Sequence, residues 1–254
     1  MLHIDYEEAP TEIKNEIATI KSTPEWRSAN TEDTAKLRGF FDDLSKDVIR
    51  EALINRQHGL CAYCMSRIEN NHTTRLEHVK PLSADKNNAL DFNNIIAVCH
   101  GGACMEGKHR VLCCDAAKGD NELKYLSPFN DDIEESLKYD RYGYVKCCEK
   151  HCRYEDIEFD IGILNLNGKK NKPNADTMDD TCTRLRAGRK YTWKAAELFI
   201  SNLNKRNQLT PGRLEHEIKR LMDMNPRNEY VGVSLYVYKR EQSRLQYMNS
   251  RKHK

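Results

Sequence analysis

The stretch that decides how this chain is read runs Cys61-Ala62-Tyr63-Cys64, then Leu76-Glu77-His78-Val79-Lys80-Pro81, then Asn94 and Cys99, and closes on Cys114-Asp115-Ala116-Ala117-Lys118-Gly119-Asp120. Two thiols separated by two residues form half of a metal clamp. Tetrahedral zinc asks for four ligands converging at ~2.0–2.3 Å. Cys61 and Cys64 supply one pair. Cys99, at the end of the apolar run Ile95-Ile96-Ala97-Val98, and Cys114, just before Asp115, are the expected second pair of a structural zinc site. The insert between those two carries Cys104, His109 and Cys113, and any of the three can replace a member of the set. The competing reading makes these cysteines reduced, buried thiols that act as small hydrophobes.

Working outward, residues 58 to 122 are rich in Cys, His, Asn and Gly with only short apolar pieces. That composition predicts a compact ββα unit with little core of its own, held by a metal staple. Thr74 to Val79 reads as a short strand ended by Pro81, and Leu90 to Cys99 leads into the second half. Before this unit, residues 10 to 57 read as helical. Pro10-Thr11-Glu12 opens one helix with Ile13, Ile17 and Ile20 on one face, Pro24-Glu25-Trp26 turns, and a second stretch spans about Thr31 to Phe41. Ser45 is placed to cap a third helix carrying Val48, Ile49, Leu53 and Ile54. After it, Tyr142 to Cys147 is strand-like, and residues 178 to 222 are helical with a break at Thr210-Pro211-Gly212. Val231 to Val237 alternates weakly and reads as a strand or a buried extended piece. The expected architecture is therefore α+β and mainly helical: an N-terminal helical region (1–57), a small zinc-stapled core (58–122) and a mostly helical C-terminal region (123–254).

The chain has 254 residues, enough for one large domain or a small core with decorations. Charged residues make up 31% and mean hydropathy is −0.81, so the surface is very polar. No run approaches the ~18 apolar residues of a membrane span, and Met1-Leu2-His3-Ile4-Asp5 lacks the features of an export signal; the expected location is cytoplasmic. In such a reducing compartment ten cysteines point to metal rather than to disulfides. A net charge of +2 neither demands nor excludes nucleic acid. Basic clusters at Lys169-Lys170-Asn171-Lys172, Arg184 to Lys190 and Arg251-Lys252-His253-Lys254 can track a phosphate backbone, or can simply be solvated surface.

Phosphodiester hydrolysis needs a base for water, a divalent ion at the phosphate, and a means of orienting the base. Glu77 and His78 are adjacent strand residues whose side chains point to opposite faces. The imidazole is the candidate general base. The carboxylates of Glu77 and Asp115 are candidate ligands for an oxygen-preferring ion such as Mg²⁺ or Mn²⁺. The amide of Asn94 either orients the imidazole or holds the loop. An acid–His pair by itself is cheap: Leu214-Glu215-His216-Glu217 repeats it inside a helical stretch, without a cysteine frame and without the second histidine of a zinc protease. A further cluster, Cys147-Cys148 with His151-Cys152, could build half of another metal site but has no visible second half.

With those residues in order, the chain resembles the HNH endonucleases of the ββα-metal superfamily. Their pattern runs Cys-x2-Cys, (Asp/Glu)-His-x-x-Pro, an Asn shortly before Cys, then Cys-Asn-x2-Lys, and it covers residues 61 to 120 here. The resemblance implies that His78 is the general base, that Glu77 and Asp115 hold the catalytic ion, and that Asn94 orients His78. Asp115 stands where the family usually has Asn or His, and the insert between Cys99 and Cys114 is long for the family.

A narrower resemblance spans most of the chain. Gln57-x2-Leu60-Cys61-Ala62-Tyr63-Cys64, Cys99-His100-Gly101-Gly102, Cys114-Asp115-x2-Lys118-Gly119 and Leu164-Asn165-Leu166-Asn167 are similar to the PtuB-type HNH proteins of Septu and retron-associated antiphage systems. That likeness implies a conditional nuclease held by a PtuA-type ABC ATPase, with a reverse transcriptase and its msDNA joining in retron versions. Partner contacts are expected on the flanking helices, residues 10 to 57 and 178 to 222, whose length goes beyond what an HNH core needs. Two other expectations stand beside it: a non-catalytic zinc-stapled docking module of the same complex, and a stand-alone restriction or repair nuclease. The sequence offers no aromatic platform or base-reading motif, so DNA, RNA and tRNA all stay open as substrates.

Overall fold

Pro10 sets the first turn of α1 (Thr11–Ser22), which buries Ile13 and half-buries Ile17 and Ile20. The expected turn after it is a short helix, α2 (Pro24–Ser28): Pro24 takes a first-turn position, where its missing N–H is not needed, and the Thr23 hydroxyl accepts from the Trp26 N–H at 3.2 Å. Asp33 caps α3 (Thr34–Asp42) by accepting from the Lys36 N–H at 2.9 Å. Ser45 does precede α4 (Lys46–Arg56), but its side chain does not cap that helix. Its N–H and hydroxyl both donate to the Glu16 carboxylate, at 2.9 and 2.5 Å, tying α4 to α1. The structure, a computed structural model, describes residues 1–102, 111–119, 121–168 and 184–252. Cys104, His109, Asp120, the Lys169 to Lys172 cluster, Met178 and the tail residues His253 and Lys254 lie outside the described residues.

At the centre, β1 (Thr74–His78) pairs antiparallel with β2 (Ile95–Cys99). The register sets Thr74 opposite Cys99, Glu77 opposite Ile96 and His78 opposite Ile95. Every residue of β2 is buried, which is why its sequence is a continuous apolar run rather than an alternation. Its outer edge is not left open. Gln57 donates to Ala97 O at 2.7 Å and accepts from Ala97 N at 2.8 Å, and Arg56 donates to Ile95 O at 2.8 Å. Side chains from the end of α4 thus stand in for a third strand. One helical turn, α5 (Asp115–Lys118), follows the sheet.

A second hairpin follows the single turn α6 (Ile133–Ser136): β3 (Leu137–Tyr139) and β4 (Val145–Cys147), joined through Gly143 at φ +83. Beyond it come α7 (Tyr154–Ile163), α8 (Arg184–Lys205), α9 (Pro211–Met222) and α10 (Val231–Lys252). The break at Thr210-Pro211-Gly212 is real: Thr210 caps α9 through the Arg213 N–H at 3.1 Å. Val231 to Val237 is neither strand nor extended piece; it forms the first two turns of α10. Val231, Val233, Leu235, Val237 and Tyr238 are all buried. Wedged among α8, α9 and β3, this end of the helix is apolar almost all round, which erased the helical period from the sequence. Buried apolar side chains from all three regions form one cluster, from Ile13 through Ile96 to Val233. No described helix is long and apolar enough to cross a membrane.

Candidate metal centre

The Cys61–Cys64 turn is built by its backbone. Cys61 N donates to Ser66 O at 2.8 Å, Met65 N donates to Cys61 O at 2.9 Å, and Leu60 bridges to Arg67. Met65 takes φ +64 to close the turn. Cys99 arrives from the end of β2. Cys114 arrives at φ +55, its N–H bonded to Leu164 O at 2.9 Å, and its carbonyl starts α5 by accepting from Lys118 N. Gly101 is needed for that approach, since a Cβ there would lie 2.1 Å from Cys113 O.

These four turns bring four buried sulfurs together. Cys61 and Cys114 lie 3.9 Å apart, Cys64 and Cys99 3.7 Å, Cys99 and Cys114 3.8 Å, and all four ligand atoms lie within 4.8 Å of one another. Metal–sulfur bonds of about 2.3 Å in a tetrahedron set sulfurs about 3.8 Å apart. The cluster therefore fits a metal ion held by four thiolates. Burial pushes the Cys61 thiol far above its ordinary range, so four thiolates share this site only around a cation. Cys113 is half-buried and stands outside the four.

Beside the cluster, β1 and α5 bring two carboxylates together. Glu77 and Arg75 share one face of β1, and Lys118 and Asp115 face them from α5. Lys118 Nζ donates to Glu77 Oε1 at 2.5 Å, and Arg75 Nη1 donates to Asp115 Oδ2 at 3.1 Å. Lys118 is buried. Burial, and then the charge of Asp115, push the Glu77 carboxyl up to about 7 despite the Lys118 ammonium. Sequence reasoning passed over Arg75 and gave Lys118 no role. The strand period puts Arg75 two residues before Glu77 on the same face, and that was the available signal.

His78 points the other way. Its Nε2 lies 3.2 Å from Ala89 O, and its ring meets Phe41 edge-on at 4.6 Å. A carbonyl only accepts, so Nε2 carries the hydrogen and Nδ1 keeps the lone pair. Only 7% of the residue is exposed, and burial lowers the imidazole pKa to about 4. The structure does not show Asn94 orienting His78 directly, as the resemblance implied. Asn94 Nδ2 donates to Lys80 O at 3.1 Å and to Asn88 O at 3.0 Å, and its Oδ1 accepts from Lys80 N at 2.8 Å. A carboxamide with three backbone partners has no donor left for a ring. It holds the loop that carries Ala89, and through Ala89 it holds His78.

The second cysteine cluster is accounted for without metal. His151 Nε2 donates to Asp132 Oδ2 at 2.9 Å, and its Nδ1 accepts from Arg153 N at 3.1 Å, so both ring nitrogens are taken. Cys147 closes β4 and Cys152 is exposed. In the decoy motif, Glu215 and His216 are exposed on α9, and Glu217 is held by Arg220 at 2.7 Å. The four-cysteine set is the one group of three or more converging metal-ligand side chains among the described residues. No family model matches the chain and no curated protein matches it, so the functional reading rests on these residues and their geometry.

Proposed function

We propose that this protein is a zinc-stapled, metal-dependent HNH endonuclease that hydrolyses phosphodiester bonds, working as the effector of a PtuAB-type antiphage system under an ABC-type ATPase. One observation carries the reading: a hairpin and a helical turn, pinned by four cysteines, bring the carboxylates of Glu77 and Asp115 together, with His78 the next residue of β1 and its ring on the opposite face against Ala89 and Phe41. Sulfur spacing of 3.7–3.9 Å supports zinc as the ion of the staple. Glu77 and Asp115 would hold a hard divalent ion, Mg²⁺ or Mn²⁺, which when bound supplies positive charge at the scissile phosphate. His78 is neutral at physiological pH and takes the proton of the attacking water at Nδ1. The Ala89 carbonyl fixes the tautomer, and Asn94 fixes the Ala89 loop.

Partner contact is proposed for the flanking helices. Tyr191 is 77% exposed and Leu198 59% exposed, and a spacing of seven residues sets both on one face of α8. Replacing both with Asp is expected to abolish copurification with the proposed ABC-type ATPase partner while nuclease activity of the isolated protein persists.

The Lys118–Glu77 ion pair favours a second reading, a docking module without catalysis, because an ammonium already neutralises one carboxylate. The decisive experiment incubates the protein, with and without the neighbouring gene product, with plasmid, single-stranded DNA and total RNA in Mg²⁺ or Mn²⁺. Cleavage lost in His78→Ala, with the fold intact, supports the nuclease. Cleavage retained in His78→Ala rejects the assignment, and zinc binding without cleavage by either protein gives the docking module.

A further inference from the structure

Next to the candidate site, on the far side of Asn94, lies a groove of about 380 Å³ that no part of the proposed chemistry uses. Its floor starts at Val79 and Lys80, the two residues after His78. Asn94 pins that floor, since its carboxamide bonds Lys80 on both backbone groups. The opposite wall is residues 124 to 126. Asp160, fully buried in α7, accepts from the N–H groups of Lys124, Tyr125 and Leu126 at 2.7–2.8 Å and fixes that wall.

An aromatic platform stands on the rim. Tyr6 stacks on Phe129 with centroids 5.0 Å apart and planes 10° from parallel, yet 65% of Tyr6 remains exposed. The arm that carries it is tied down on both sides. Ile4 N donates to Pro128 O at 2.8 Å, and Glu7 N donates to Asn93 Oδ1 at 3.1 Å. A large ring held flat, with one face covered and the other open to solvent, is an arrangement that burial alone does not produce. Lys80 extends an exposed ammonium from the lining, and Lys124, also exposed, rests its ammonium 4.1 Å over the Phe159 ring, from which it can swing to a phosphate, while Asp91 and Glu122 balance the two charges. The groove is thus close to neutral, so its affinity must come from stacking more than from phosphate attraction.

We infer that this groove binds a single-stranded nucleic-acid segment, one base stacking on Tyr6 and its phosphates reaching Lys80 and Lys124, beside the proposed nuclease site. A duplex keeps its bases stacked on each other and offers Tyr6 no free face, so the groove selects unpaired strands. This deepens the nuclease proposal by naming its substrate class, and it rests on that reading only for the statement that the bound strand is the one cut.

The test is binding, kept separate from cleavage. A fluorescein-labelled single-stranded oligonucleotide and the matching duplex are titrated in the absence of Mg²⁺ and Mn²⁺ into wild type, Tyr6→Ala and Tyr6→Phe. One stacked base contributes about 1–3 kcal/mol, so Tyr6→Ala is expected to weaken single-strand binding by roughly 5- to 150-fold. Tyr6→Phe is expected to keep it, duplex binding is expected to stay unchanged, and equal melting temperatures check the fold. With two lysines at phosphates, affinity for single strands is expected to fall with salt at a log–log slope no steeper than about −1.4. Three results overturn the groove: no single-strand binding by wild type, wild-type affinity in Tyr6→Ala, or an equal loss for duplex. Single-strand binding that depends on Tyr6, in a protein that cuts nothing with Mg²⁺, would leave the groove standing and sink the nuclease.

Discussion

His78 carries two separable consequences at the scale of single residues. Its imidazole sits against Phe41 and Ala89, and its pKa falls from the ordinary 6.5 to about 4. Between those values the unfolded chain binds a proton that the folded chain refuses, so stability rises with pH across that window and is lost as pH falls through it. The gap corresponds to about 3 kcal/mol. Urea titrations between pH 4 and 7 are expected to show a steeper dependence in wild type than in His78→Asn, and parallel curves would contradict the burial. Asn94 makes a different point. Its three backbone bonds hold the 80–88 loop, so Asn94→Ala leaves three part-buried backbone groups without that partner, at up to about 1 kcal/mol each. The expected outcome is a loss of stability of a few kcal/mol together with disordered His78 ring resonances in NMR, and a variant as stable as wild type would refute the clamp. Cysteine assignment is tested the same way. Cys114→Ser is expected to lose bound zinc while Cys113→Ser keeps one ion per chain, because Cys113 stands outside the four converging sulfurs. Loss of zinc from Cys113→Ser alone would reverse that choice.

Elements that the sequence made legible are those whose burial is one-sided. Ile13, Ile17 and Ile20 gave α1 because one face of that helix meets solvent, and the Cys spacings gave the four-cysteine cluster because ligand chemistry tolerates few residue types. What stayed hidden depends on contacts far apart in sequence. The start of α10 read as a strand or a buried extended piece since its neighbours cover almost every side. Ser45 read as a helix cap, although its hydroxyl is taken by Glu16 of α1. Tyr6 and Phe129 form a stack across more than a hundred residues, which no local pattern announces. The same long-range packing makes Gly188 critical. A Cβ on Gly188 in α8 would come within 2.2 Å of the Tyr230 ring, which is buried at the start of α10. Overpacking of this kind costs about 1–3 kcal/mol. Gly188→Ala is therefore expected to be destabilising in denaturant titrations even though alanine is the better helix former, and a neutral or stabilising result would mean that α8 and α10 are not packed this closely.

For the molecule as a whole, the four-cysteine cluster joins the central hairpin to the C-terminal helices. The Cys61–Cys64 turn does not only hold the β1–β2 hairpin; it is the surface on which the C-terminal helices dock. Tyr230 N donates to Met65 O at 2.9 Å, Arg67 N donates to Glu229 Oε1 at 2.8 Å, and Arg227 N donates to His58 O at 3.0 Å. Gly232 lies so close that a Cβ there would meet Met65 Sδ at 2.8 Å. If the four cysteines hold an ion as proposed, withdrawing it leaves four buried thiols whose turn has no staple, and that turn is one wall of the α10 socket. A metal present at a thousandfold excess over its Kd adds about 4 kcal/mol to folding, and a chain of this size shifts its Tm by roughly 2–4 °C per kcal/mol. A high-affinity chelator is therefore expected to lower the Tm by about 10 °C. Hydrogen exchange is expected to accelerate in α10 as well as in the hairpin, although the nearest helix residues contribute no ligand. Re-addition of zinc is expected to restore both. Unchanged protection of Val231 to Tyr238 in the chelated protein would show that the helices stand on their own, and an unchanged Tm would show that the four cysteines hold nothing.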